Sequence, residues 1–162
     1  MKKVLFIATA AISFAGLFSC QPSKEEIKAS AEAQMAINKG IDSVFTILND
    51  SYESYHPATM DAALEGFNKY LDIAVENMRK IKPLSENQQL TEAITEKISV
   101  MKKLAKNEAV EQVRIYKLPD TSFTEELRQK WDEIAKNVGE KVLEANKKVE
   151  TEYNEIQKKN NK

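Results

Sequence analysis

The sequence predicts an all-α protein, an up-down-up-down four-helix bundle with long helices. Three observations carry that expectation. Only 4 Gly and 4 Pro occur in 162 residues, which leaves few places for the chain to turn. Charged residues make up 30% of the chain, and Lys, Glu, Ala and Leu, all good helix formers, are abundant. The apolar residues recur at spacings of three and four, the period of one helix face.

The first helix is expected over roughly Lys24 to Glu53, with Ile27, Ala31, Ile41, Phe45, Leu48, Tyr52 and Tyr55 on one stripe that Met35, Ile37 and Val44 widen. Gly40 reads as its weak point. Pro57, suited to a first turn, opens a second helix whose Met60, Leu64, Phe67, Leu71, Ala74, Met78 and Ile81 form an a/d seam. Lys82-Pro83-Leu84 ends it, because proline cannot continue a helix. Ser85 and Gln88 have the spacing of a capping box for a third helix bearing Leu90, Ile94, Ile98, Met101, Leu104 or Ala105, and Val113. Val113, Ile115 and Leu118 alternate as a strand would, but a lone strand has no partner, so the segment is read as helix fraying before Pro119. Ser122 and Glu125 offer a further capping box, opening a fourth helix with Leu127, Trp131, Ile134, Val138, Val142, Ala145, Val149, Tyr153 and Ile156 on one face. Short connections make consecutive helices antiparallel neighbours.

Glu65/Lys69, Glu76/Lys80, Glu126/Lys130, Asp132/Lys136, Glu144/Lys148 and Glu155/Lys159 are acidic-then-basic pairs at a spacing of four, read as solvated helix-surface charge. At 1.5 Å per residue the fourth helix spans about 54 Å against about 37 Å for the second. That difference predicts an overhang, in which Val149, Tyr153 and Ile156 pack on Ile27 and Ala31 as a two-helix stem. Residues 159–162, without an apolar side chain, are expected to fray.

The amino terminus addresses location. Met1-Lys2-Lys3 is a basic n-region, Val4 to Phe18 an apolar h-region of 15 residues, and Ser19 a small residue before a cleavage point. A run of that length is short for a transmembrane helix, which needs about 20 apolar residues. Cys20, preceded by Leu17-Phe18-Ser19, resembles the lipobox of bacterial lipoproteins, although Phe18 is bulkier than that motif usually has. The resemblance covers the first 20 residues and implies a signal peptide over 1–19, acylation of the Cys20 thiol and a lipidated tether over 20–26. A single helical domain over 27–158 would follow. Cys20 is the only cysteine, so no disulfide is expected and stability rests on packing.

Gln21 follows Cys20 where the inner-membrane retention signal of enteric bacteria has aspartate, which favours the outer membrane. Lys24-Glu25-Glu26 is similar to the signals that carry lipoproteins of Bacteroidota to the cell surface. It also reads as a helix start, with acidic residues complementing the dipole and Ser23 and Glu26 at capping-box spacing. The side of the membrane therefore stays open. In size and layout the whole chain is similar to small helical lipoproteins of Bacteroidota that carry no assigned activity.

The antiparallel arrangement gathers Tyr52, Tyr55, His56, Tyr116 and Phe123 at the membrane-distal end. These rings either form a recognition patch for a protein or saccharide, or close the end of the core. Leaving out Lys2 and Lys3, the 24 basic residues become 22 against 25 acidic ones, a net charge near −3, and the three arginines are scattered. Nucleic-acid binding, which wants a concentrated basic face, is not expected.

The residues for catalysis are sparse. One histidine, His56, cannot supply the paired Glu-x-x-His of a bundle di-iron site or an H-E-x-x-H zinc site. No G-x-S-x-G, P-loop or dinucleotide turn occurs. The expectation is a non-enzymatic outer-membrane lipoprotein without metal or cofactor beyond its covalent lipid. Its bundle is a spacer or binding module for a protein or an envelope polymer. A periplasmic chaperone or stress adaptor is the second reading. Small-ligand binding inside the bundle, with Asn38 and Asn68 as polar candidates, is the third. An a/d seam fits a homo-oligomer as well as a closed monomer.

Overall fold

The computed structural model describes residues 21–54 and 56–160. The expected signal peptide over 1–19, Cys20, Tyr55 and the last two residues lie outside them. Among the described residues all regular structure is helical: α1 (Lys24–Glu53), α2 (Pro57–Lys80), α3 (Gln88–Lys106), α4 (Glu108–Tyr116) and α5 (Glu125–Asn160), with short 3-10 turns at Ser85–Asn87 and Asp120–Ser122. They form four rods in up-down-up-down order, α3 and α4 together making the third. Ion pairs record the register. Asp72 of α2 pairs with Lys102 of α3 and Asp61 with Lys117, so the two rods run in opposite directions. Lys130, Lys141 and Lys148 of α5 meet Glu111, Glu108 and Glu96 in descending order along the third rod, the mark of a second antiparallel pairing.

The start of α1 is capped as its sequence implies. Ser23 Oγ accepts the Glu26 N–H at 3.1 Å, and Glu26 Oε2 accepts the Ser23 N–H at 2.8 Å. The Ser23 backbone N–H is the leading cause of a lowered Glu26 pKa. Helix therefore begins inside the segment expected to be tether. The other two capping boxes do not form. Asn87 precedes α3, and its amide reaches across to the Ile27 carbonyl at 2.9 Å instead of capping its own helix, while Ser85 Oγ donates to Glu86 at 3.0 Å. Ser122 is committed to the turn after Pro119, its N–H donating to the Pro119 carbonyl at 2.7 Å. The start of α5 is held instead by Thr124 Oγ1, which accepts the Leu127 N–H at 3.3 Å.

The third helix, expected as one, is broken at Asn107, whose φ of −113° and ψ of −75° leave regular helix geometry. Hydrogen bonds of helical spacing, Asn107 to Lys103 and Glu111 to Asn107, still bridge the break, so the rod bends without ending. α4 then packs against both α2 and α5. At its other extreme α5 stays helical through Lys158 to Asn160, beyond the start of the expected fray.

The expected two-helix stem is absent. α5 with 36 residues is the longest rod, against 30 for α1, 19 plus 9 for the bent third rod and 24 for α2, yet it does not overhang a lone partner. Asn87 on Ile27 brings the α3 start level with the α1 start, and Val149 and Ile156 are buried in the common core.

That core follows the predicted stripes, with Ala31, Ile41, Leu71, Leu90, Ile94 and Val149 fully enclosed and Phe67 and Met60 nearly so. Burying each large apolar side chain is worth roughly 1.5–3 kcal/mol, the main favourable contribution in a chain without disulfides. Gly40 is a seat and not merely a weak point: an added Cβ would lie 1.6 Å from Tyr70 Oη of α2. Its missing side chain is what leaves room for the Tyr70 hydroxyl against α1.

Candidate functional site

Three features outside plain apolar packing define where function can reside. The first is a polar seam between α1 and α3. Gln34, Asn38 and Asp42 succeed one another at a spacing of four, so they share one face of α1. Thr91 Oγ1 lies 3.1 Å from Gln34 Oε1, and one helix step higher Lys97 Nζ donates to Asn38 Oδ1 at 2.7 Å and Asp42 Oδ1 at 2.6 Å. The Lys97 side chain has no exposure at all, whereas Asp42 keeps 39% of its own. Burial pulls the Lys97 pKa below the ordinary lysine value, opposed by the hydrogen bond and charge of Asp42 and by the charge of Glu150. A cation enclosed and doubly hydrogen-bonded in this way sets helix register and has no open face to a substrate.

Local hydrogen bonds use up both interior candidates, only the first of them in this seam. Asn38 accepts from Lys97 and donates to Asp42 at 3.4 Å, and Asn68 Nδ2 donates back to the Leu64 carbonyl of its own helix at 2.9 Å. Lys97 itself was legible as a charge inside the apolar stripe of Ile94, Ile98 and Met101, the one signal that reading the stripe alone passes over.

The second feature is the distal aromatic cluster. Tyr52 and Tyr116 stack with centroids 5.9 Å apart and planes 4° from parallel, and Trp131 of α5 meets both edge-on at 5.3 and 4.3 Å. Tyr52 is 6% exposed, its hydroxyl is buried without a hydrogen-bond partner, and burial followed by the proximity of Tyr116 raises its pKa strongly. Of the five residues expected to form a patch, two are thus brought together as the closing layer of the core. His56 precedes α2 as an exposed residue whose side chain makes no cap, and Phe123 stands 46% exposed. Trp131 is the member that the reading from chain order missed, because only the packing of α5 on α4 carries it there.

Charges reinforce that packing. Glu111 accepts from Arg114 and from Lys130, which hold its carboxyl at about 2, well below the usual carboxylate range. Two cations expected to pair along their own helix thus pair across helices: Lys130 with Glu111 and Lys148 with Glu96. Glu76 and Glu155 take Arg79 and Lys158 at a spacing of three. An antiparallel neighbour offers carboxylates as near as those one turn away.

The third feature is a pair of grooves flanking α3. Between α3 and α5 a groove of about 420 Å³ carries mixed charge, with Glu96 and Glu144 among its lysines. Between α2 and α3 a larger one, about 620 Å³, has Val75, Met78 and Ile98 as its apolar floor and the hydroxyls of Thr91, Thr95 and Ser99 along one wall. Its charged lining consists of Arg79, Lys102, Lys103 and Lys106, with no carboxylate. Lys102 bonds Asp72 at 2.6 Å and Arg79 bonds Glu76 at 2.7 Å, both carboxylates lying outside the groove, while Lys103 and Lys106 make no salt bridge among the described residues.

Among the described residues no group of three or more His, Cys, Asp or Glu could hold a metal ion, and no helix is long and apolar enough to cross a membrane. No family model, curated protein or solved structure matches this chain.

Proposed function

We propose that this protein is a non-enzymatic outer-membrane lipoprotein, held by an acylated Cys20, whose bundle is a rigid module that binds ligand or partner through the grooves along α3. The observation that carries this reading is the position of the capped helix start. Ser23 begins the rigid body, so only Gln21 and Pro22 separate it from Cys20. Three residues reach at most about 10 Å, which seats the base of the bundle against the lipid surface. The grooves supply open binding surface, whereas the aromatic end is closed by its own packing and the buried lysine by its own acceptors.

Fractionation of cells carrying wild type or Cys20→Ala tests the anchor. Wild type is expected in the outer-membrane fraction and Cys20→Ala is not; equal distribution of the two would overturn it. Proteinase digestion of intact and lysed cells then assigns the side: digestion before lysis means surface display, and protection until lysis means the periplasm.

A further inference from the structure

The α2–α3 groove combines an apolar floor with a rim of one sign of charge, and at its Thr91 end it adjoins, through Met78 and Arg79, a smaller hollow of about 210 Å³ with Ile81 and Lys82 of the same character. From Thr91 to Lys106 the α3 wall covers 16 residues, whose 15 steps of about 1.5 Å span about 22 Å. Residues 91, 95, 98, 102 and 106 recur at helical spacing, so the hydroxyls, the apolar floor and the lysines lie on one continuous strip of α3. The polarity along that strip is ordered. Thr91 and Thr95, with Arg79 of α2 beside them, stand toward the membrane-proximal end, Ile98 with Val75 and Met78 in the middle, and Lys102, Lys103 and Lys106 together at the far end.

The mixed groove on the other side of α3 provides the contrast. There the lysines have Glu96 and Glu144 beside them, and Lys148 is already paired with Glu96. In the α2–α3 groove Lys106 feels the charge of Asp72 without a salt bridge to it, and Lys103, exposed on the ridge of α3, lines both grooves without a salt bridge among the described residues, so both ammonium groups stay open to an anion above the apolar floor. Lysines in the last turn of a helix also complement its dipole, and that role alone asks for neither the apolar floor nor the hydroxyl wall. A volume of about 620 Å³ lies within the roughly 300–1,000 Å³ of small-molecule sites.

We infer that this groove binds a single-chain amphiphilic anion, a long-chain carboxylate taken up as a free molecule, with its head on Lys103 and Lys106 and its chain laid over Val75, Met78 and Ile98. Charge complementarity selects the head, the apolar floor selects the body, and the length of the strip accommodates an extended acyl chain. The free molecule is preferred to a membrane lipid because the two cations without a salt bridge, Lys103 and Lys106, stand at the end further from the anchor, whereas Arg79 at the nearer end is bonded to Glu76.

This inference rests on the anchored-module reading, and the test separates the two. Mature lipidated protein is incorporated into nanodiscs of neutral phosphatidylcholine, and failure to incorporate would count against the anchor alone. The nanodiscs are then irradiated with a photoreactive long-chain carboxylate and the labelled peptides are mapped. Saturable labelling within residues 75–106 is expected, competed by dodecanoate and not by dodecanol. Lys103→Gln/Lys106→Gln should lower apparent affinity by about tenfold with an unchanged melting temperature. Ile98→Asp, which keeps the cations and spoils the floor, should lower it as well, and its circular dichroism checks that it folds. Labelling that is spread evenly, competed equally by the alcohol or insensitive to the double lysine change would overturn the proposal. Labelling by a photoreactive anionic phospholipid but not by the free carboxylate would also overturn it, assigning the groove to the membrane surface.

Discussion

Helices α3 and α5 run side by side and are held by opposite means. α3 buries eight of its 19 residues, among them a lysine, and packs against α1, α2 and α5. α5 buries four of 36, all Val or Ile, and its first three turns contribute only the half-buried Leu127, Trp131 and Ile134. The difference teaches that length and stripe continuity do not measure how firmly a helix is held. α3 is fixed by dense packing and by an ion pair to a fully buried lysine, whereas α5 meets α1, α3 and α4 through far fewer buried side chains. It is docked by a thin apolar stripe and by Lys130, Lys141 and Lys148 on carboxylates of the third rod. Such exposed pairs contribute about 0–1 kcal/mol each and are screened by salt.

The largest expected effect strikes α3. Asp42→Ala strips the enclosed Lys97 of its counter-charge and should destabilise by about 3 kcal/mol in urea unfolding. That is the lower end of the range for a broken buried pair, because Asp42 is itself 39% exposed. Lys97→Met fills the same space without a charge and should stay within about 1 kcal/mol of wild type. Equal losses in the two variants would show that the pair is not what holds α3.

The pH dependence follows from the same burial. The folded-state value of Lys97 lies below its ordinary 10.5, so between the two the unfolded chain carries a proton that the folded chain has shed. Raising the pH through that window toward 10.5 therefore stabilises the fold by way of Lys97. Wild type should gain on Lys97→Met as pH rises, and parallel profiles would contradict the assignment.

A smaller effect is expected at the loose end of α5. Trp131 is the only tryptophan, so its fluorescence reports the distal joint while circular dichroism reports the whole. In urea the fluorescence midpoint should fall below the dichroism midpoint; coincident midpoints would mean that α5 is held as tightly at its start as along its length. Trp131→Ala, removing a half-buried ring with two edge contacts, should cost about 2 kcal/mol.

The smallest effects concern the glycines, and they have opposite signs. Gly66 has nothing within 4 Å of an added Cβ, so Gly66→Ala should stabilise by about 0.5–1 kcal/mol through the unfolded chain. Gly40→Ala meets the Tyr70 hydroxyl and should lower the melting temperature. A rise in both variants would show that Tyr70 moves aside without cost.

Much of the fold was legible. The stripes of α1, α2 and α5, the start at Pro57 and the Ser23–Glu26 cap depend on residues a few positions apart, and each survives in the folded chain. The bend at Asn107 was not legible, because hydrogen bonds of helical spacing cross it and the buried pattern from Met101 to Val113 runs through it. Of the candidate site, the meeting of Tyr52 with Tyr116 was legible from topology. Trp131 was not, since its place depends on how far along α4 the helix α5 is docked.

By itself the sequence determined that the chain is helical, where α1 and α2 begin and which face of each long helix is apolar, since these follow from backbone propensity and from a period of 3.6 residues. Only the tertiary structure decided which charges pair across helices, that Lys97 lies inside on Asn38 and Asp42, and that the surface beside α3 opens into one mixed and one cationic groove. Those outcomes depend on the rotation and axial offset of neighbouring helices. Both are set by side-chain packing between residues some 30 to 60 positions apart, as the pairs Lys102 with Asp72 and Lys97 with Asn38 illustrate.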